Sequence, residues 1–233
     1  MCRTTALASG GMSTHVPGLS ATVAAFYEQT HARRVAYIDE TYNVDPAHSF
    51  RYYTLTAVLV QASSLDIVRS GIREIAENGY WHTSDELRTA SGRSRALEML
   101  KFLADPAGSE ACVVSHTQQI DLQDDDGENA RRGCLKTLLA HICDEKLPGG
   151  SVGAIVLEER REQRQRNIDA TTKREAAKDR LIPARTRFLQ TSPGSENLLW
   201  LPDLVCSAHR QLVARKNSAF FDAIAGITTT IGS

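Results

Sequence analysis

The chain has 233 residues, 42% of them hydrophobic and 24% charged, close to ordinary globular usage, which argues against wholesale disorder. No apolar run approaches the roughly 20 residues needed to span a bilayer, so no membrane partner is expected. The formal net charge of −1 means that a nucleic-acid partner has to be met by a local basic face, not by the field of the whole molecule.

Residues 1–20 are rich in Ser, Thr, Gly and Ala, carry no hydrophobic period and include Met12 as a second start. They read as a flexible lead-in, too weakly apolar for a secretory signal core. The five cysteines, Cys2, Cys112, Cys134, Cys143 and Cys206, are odd in number and scattered, with no pair at zinc-knuckle or redox spacing. A reducing compartment, the cytoplasm, follows.

A short helix is expected from Ser20 to about His31. Arg34 to Glu40 is a compact apolar strand closed by acids, and Tyr52 to Val60 is richer still in aromatic and β-branched residues, so the two are expected to pair antiparallel. From Ser64 to about Asn78, Leu65, Ile67, Val68, Ile72 and Ile75 recur at helical spacing, with Gly79 as the expected C-cap. Another helix runs from about Arg93 to Ala104 and stops before Pro106. Cys112 to Ile120 reads as a strand, Asp121 to Gly127 as an exposed acidic turn, and Leu135 to Ile142 as a helix. Val152 to Leu157 is a short apolar strand that runs into Glu158 and Glu159. A long polar helix to about Leu181, an edge strand from Pro183 to Leu189 and a helix from Leu198 to about Ala214 complete the reading. This order indicates one mixed α/β sheet with covering helices over residues 21–233.

Three places join an apolar segment to an acid: Ile38-Asp39-Glu40, Leu157-Glu158-Glu159 and Leu201-Pro202-Asp203. Strand ends set side by side can converge such carboxyls, and metal-assisted phosphodiester cleavage needs that convergence, because Mg²⁺ and Mn²⁺ prefer hard oxygen ligands. Each acid also has a plainer reading. Asp203 suits the N-cap of the last helix, and Asp39 suits a turn cap in the loop towards Pro46.

Tyr37-Ile38-Asp39-Glu40-Thr41 resembles the N-terminal "Asp-Glu-Ser-Gly" strand end of the domain of unknown function 3800 family. Leu199-Trp200-Leu201-Pro202-Asp203-Leu204-Val205 is similar to that family's C-terminal leucine-glutamine-leucine-alanine-aspartate-leucine signature. The segments Tyr52 to Val60, Tyr80-Trp81-His82 and Ala154 to Glu159 fall in matching order, so the resemblance spans about residues 34–216. It implies a ribonuclease H-like fold, a mixed sheet flanked by helices. It further implies a nuclease acting on RNA or DNA with Mg²⁺ or Mn²⁺, Asp39, Glu158 and Asp203 being the metal ligands and Glu40, His82 and Glu86 the assisting groups. Thr41 and Tyr42 stand where the family has serine and glycine, which implies a different backbone shape after Asp39; Glu158 stands where it has aspartate, and Pro202 where it has a small residue.

The helix after Glu158 carries Arg160, Arg161, Arg164 and Lys173, which either contact phosphates or belong to a solvated face laced with Glu162, Asp169 and Glu175. The acid run from Asp121 to Glu128 is no calcium loop: with Gly127 at the sixth position, Leu122 and Gly133 fall where oxygen ligands are required. His82 serves either as a metal-site assistant or as a surface residue, and Trp81 belongs to the core. The rival to a nuclease is a non-catalytic ribonuclease H-like module that binds nucleic acid or a protein, within a mobile-element or phage-defence system. A protein partner or a second copy of the chain is left open.

Overall fold

The structure, a computed structural model, describes residues 20–48, 50–105, 108, 110–118 and 120–232; the expected N-terminal lead-in lies outside them, except for Ser20. Helix α1 (Ala21–Glu28) is capped by the Ser20 hydroxyl, which accepts from the Val23 N–H at 3.3 Å. Strands β1 (Arg34–Asn43) and β2 (Tyr52–Gln61) pair antiparallel in an unbroken register from Arg34↔Gln61 to Asn43↔Tyr52. There is therefore no turn directly after Asp39. It lies opposite Thr56, and β1 continues as an extended strand through Thr41 and Tyr42, where branched and aromatic side chains are favoured.

Next come α2 (Leu65–Ile75), the single turn α3 (Thr83–Glu86) and α4 (Ala90–Leu103), capped by Thr89. Strand β3 (Ala111–Thr117), α5 (Glu128–Ile142), β4 (Ala154–Glu158), α6 (Gln163–Lys178), β5 (Arg187–Thr191), α7 (Trp200–Arg215) and β6 (Thr228–Gly232) follow. The strands form one sheet in the order β5-β4-β1-β2-β3-β6. The β1–β2 and β2–β3 pairs are antiparallel, and β1–β4, β4–β5 and β3–β6 are parallel. This six-stranded mixed sheet flanked by helices is the α/β architecture expected of the chain.

β1 and β2 are central and covered on both faces, hence their near-continuous apolar runs. Val35, Tyr37, Val58, Val60, Val114 and Val156 face α2, α4 and α7. Ala36, Ile38, Leu55, Leu59 and Leu157 face α5 and α6. The two-residue period of β1 carries this alternation one step further, putting Asp39 on the α7 side and Glu40 on the α5 side.

Four local expectations are corrected. α2 ends at Ile75, and its exit uses Glu77 and Asn78 in the left-handed region at φ 55° and 60°, not Gly79; asparagine tolerates that region well. α5 begins at Glu128, earlier than expected. Asp124, only 3% exposed, accepts the Asn129 and Ala130 N–H groups at 3.0 and 2.9 Å, so this part of the acidic turn is a buried helix cap. β3 stops at Thr117. The threonine-rich β6 was not anticipated from its polar sequence; it lies at the sheet edge, where one side of a strand can stay wet. Among the described residues no helix is long and apolar enough to cross a membrane.

Candidate active site

β1 and β4 run parallel, in register from Val35↔Ala154 to Ile38↔Leu157. One step further along each lie Asp39, midway along β1, and Glu158, the last residue of β4. α7 packs here on the Asp39 side: the Cys206 thiol donates to the Asp39 carbonyl at 3.4 Å. Asp203 lies three residues before Cys206 on the same helical face, and so turns towards β1.

The three carboxyls feel one another. Burial raises the Asp39 carboxyl well above the usual carboxylate range, and the negative charges of Asp203 and Glu158 raise it further. Glu158 is raised by burial and then by Asp203 and Glu40, offset by a hydrogen bond shared with the Asp39 side chain. Asp203 is raised by burial and partly held down by the Thr83 hydroxyl and N–H, by His82 and by Arg210. Thr83 is itself fixed: it is buried, and the Trp81 indole N–H donates to its hydroxyl at 2.9 Å, Trp81 being in the core as expected. Asp203 is not the helix cap that its residue type allowed. α7 starts at Trp200, with Leu199 at the cap position, and Asp203 lies within the first turn, after a Pro202 that needs no hydrogen-bond donor there.

Glu40 points to the other face, where the Arg131 Nε donates to it at 2.5 Å. Arg131 is also paired with Asp169, which accepts from the Gln190 amide at 3.2 Å. His82 is exposed, ion-paired with Asp85 at 3.0 Å, and within electrostatic range of Glu158 and Asp203. Glu86 is not part of the group, because its carboxylate is held by Arg95 of α4 at 2.5 Å.

A cleft of about 430 Å³ opens beside the carboxyls, lined by Asp39, Glu40, Tyr42, Arg131, Glu158, Arg160, Arg161 and Gln165. Arg160 is ion-paired with Glu128, while its Nη1 is buried with no hydrogen-bond partner among the described residues. Arg164 stands outside the cleft lining, exposed and 3.9 Å from Asp126. Lys173 belongs to a separate pocket of about 150 Å³, its ammonium 4.2 Å from the centre of the Phe188 ring.

Arg131, Asp169, Thr83, Tyr80 and Arg210 were not singled out in the sequence as site residues. Arg131 left a signal: it shares a face of α5 with Cys134, Leu135 and Leu138, and a charge on an apolar face needs a buried partner. The others become visible only once the elements are packed.

An ion at this point would be held by carboxyls alone, a donor set that suits a hard divalent cation. A cluster whose members all bind protons more tightly than usual is short of positive charge. Among the described residues no group of three or more His, Cys, Asp and Glu side chains is placed to hold a metal ion as the chain stands, so the three carboxyls would have to draw closer around one.

No protein-family profile matches the chain, and no curated protein is similar to it. Among solved structures it is similar to a mutant protein of Bst-RNase HIII, with 12% identity and a TM-score of 0.47. The match covers 96% of this chain and 62% of that one, so the chain spans less than two thirds of the length of that protein.

Proposed function

We propose that this chain is a divalent-metal-dependent nuclease that hydrolyses phosphodiester bonds of RNA or DNA, with Asp39, Glu158 and Asp203 as ligands of Mg²⁺ or Mn²⁺. The observation that carries the reading is that three buried or half-buried carboxyls, from β1, β4 and α7, lie within electrostatic range of one another: burial raises the proton affinity of all three, and Asp203 raises that of Asp39 and Glu158 further. A structural salt-bridge network supplies each acid with a base. Here Glu40 and Glu86 have theirs in Arg131 and Arg95, whereas Asp39 and Glu158 share a hydrogen bond with each other.

A bound divalent ion supplies polarisation of a phosphoryl oxygen and acidification of water. The chain's own groups do the rest. Thr83 holds the Asp203 carboxylate in place through two hydrogen bonds, and Arg131 fixes the Glu40 side chain beside the cleft. Arg160 and Arg161 offer cationic contacts to phosphates along the cleft wall, and the exposed His82, within electrostatic range of Glu158 and Asp203, is the assisting group of the proposal. The resemblance to the domain of unknown function 3800 family supports the same assignment. A cytoplasmic setting is part of the proposal, in line with the burial of Cys112, Cys143 and Cys206 as separate thiols.

The test is purified protein with single- and double-stranded RNA and DNA and either Mg²⁺ or Mn²⁺. Metal-dependent cleavage abolished by Asp39→Ala and Asp203→Ala is expected; cleavage unchanged by both substitutions overturns the proposal. Tight binding with no turnover under any metal supports the non-catalytic module instead.

A further inference from the structure

Two exposed tyrosines lie near the carboxyls, Tyr42 packed on Tyr53 at one face of the sheet and Tyr80 on Trp200 at the other. Tyr42 is 52% exposed and Tyr80 is 62% exposed, although rings of this size are usually largely covered. Neither is loose. The Tyr42 ring lies flat on that of Tyr53, centroids 5.0 Å apart with planes 9° from parallel, and Tyr53 is buried. Tyr80 meets the buried Trp200 edge to face, at 6.1 Å and 85°. Each exposed ring is thus buttressed from behind by a buried aromatic at one of the preferred aromatic geometries.

Their positions tie them to the candidate site. Tyr42 lines the cleft together with Asp39, Glu158, Arg160 and Arg161. Tyr80 precedes by three residues the Thr83 that holds Asp203, and its hydroxyl feels the charges of Glu158 and Asp203. Rigid rings with a free face beside cationic side chains are what a base requires for stacking while its phosphates follow the arginines. In a duplex both faces of each base are already covered by its neighbours, so such rings gain nothing from it; in a single strand the bases can splay onto them.

We infer that the site takes single-stranded nucleic acid, with bases on either side of the reacting phosphate stacked on Tyr42 and Tyr80. This rests on the nuclease reading and narrows its substrate class. Stacking on an aromatic side chain contributes roughly tenfold or more to affinity per base, so both rings together give a single strand a clear margin over a duplex.

The test uses the full chain, with Ca²⁺ present to neutralise the carboxyls, and matched single- and double-stranded oligonucleotides of RNA and of DNA followed by fluorescence anisotropy. A single strand carrying 2-aminopurine reports stacking directly. Single strands are expected to bind about tenfold or more tightly than duplexes. Tyr42→Ala and Tyr80→Ala should each weaken single-strand binding about tenfold and leave duplex binding unchanged. Tyr42→Phe and Tyr80→Phe should retain wild-type affinity and the 2-aminopurine signal, because the ring and not the hydroxyl is required. Circular dichroism identifies an alanine variant that has lost its fold, and the Phe variants, compared with Tyr42→Leu and Tyr80→Leu, then decide the matter. Duplexes bound as tightly as single strands, or Leu variants that bind like wild type, overturn this inference and leave the nuclease reading standing. Failure to bind or cleave nucleic acid of any form overturns both.

Discussion

Replacing Asp39 by asparagine removes one negative charge from the carboxyl group while keeping its shape, and the amide can still donate to Glu158. The two side chains share a hydrogen bond, which requires a proton on one of them; for scale, two like unit charges about 4 Å apart repel by about 4 kcal/mol at an effective dielectric of 20. Proton sharing and solvent at a half-buried site reduce this, so Asp39→Asn is expected to stabilise the metal-free protein by about 1–2 kcal/mol. For a chain of this size that raises Tm by about 2–8 °C. Metal reverses the order. Wild type in Mn²⁺ at about 100 times its Kd gains about 2.7 kcal/mol, whereas the variant, with a neutral amide in place of a ligand, gains much less. Differential scanning fluorimetry with EDTA and with Mn²⁺ reads both effects. A variant no more stable than wild type in EDTA, with an equal metal-induced shift in the two proteins, refutes the reasoning that the carboxyls are held together at a cost in stability which a cation relieves.

Arg131→Met leaves Glu40 and Asp169 without their shared partner, and urea denaturation should show a loss of about 3–5 kcal/mol, most of it recovered when Asp169→Leu is added. His209 is buried against His116 and Phe221, and burial followed by the charge of His116 lowers its imidazole from 6.5 to about 4. The unfolded chain therefore binds this proton more readily. The stability associated with neutral His209 is fully present above about pH 6.5 and is lost as pH falls towards 4, by at most about 3 kcal/mol. His209→Phe should lack that component in denaturation curves taken across this range, and an unaltered pH profile would count against it. Arg210 lies two turns after Asp203 on α7, within electrostatic range of it, and its Nε has no hydrogen-bond partner among the described residues. Under the proposed function, Arg210→Ala should raise KM for nucleic acid several-fold with kcat nearly unchanged, Arg210→Lys recovering part of the loss; steady-state cleavage kinetics reads the split.

Much of the framework was legible in residue order because local physics writes it there. β1, β2 and β4 are apolar runs because both faces of each are covered, and Ile38-Asp39 in β1 and Leu157-Glu158 in β4 mark where full burial gives way. The starts of α5 and the exit of α2 were misread, since one depends on a buried Asp124 that accepts two N–H groups and the other on two non-glycine residues in the left-handed region. Neither feature has a hydrophobic period to announce it. β6, polar and at an edge, had none either.

For the site, the sequence by itself determined which acids close apolar segments, and so which carboxyls could be brought to a strand end. It left Asp203 divided between helix cap and ligand, and set Glu40 beside Asp39 as an assisting group with no partner assigned. Tertiary structure takes Asp203 out of the cap position and gives Glu40 its own partner, because strand parity sends Asp39 and Glu40 to opposite faces with Arg131 on the Glu40 side, while α7 packs on β1 with Asp203 within electrostatic range of Asp39. Proton affinity, pairing and exposure belong to neighbours in space, which lie as far apart in the chain as Asp39 and Asp203, and no local pattern encodes them.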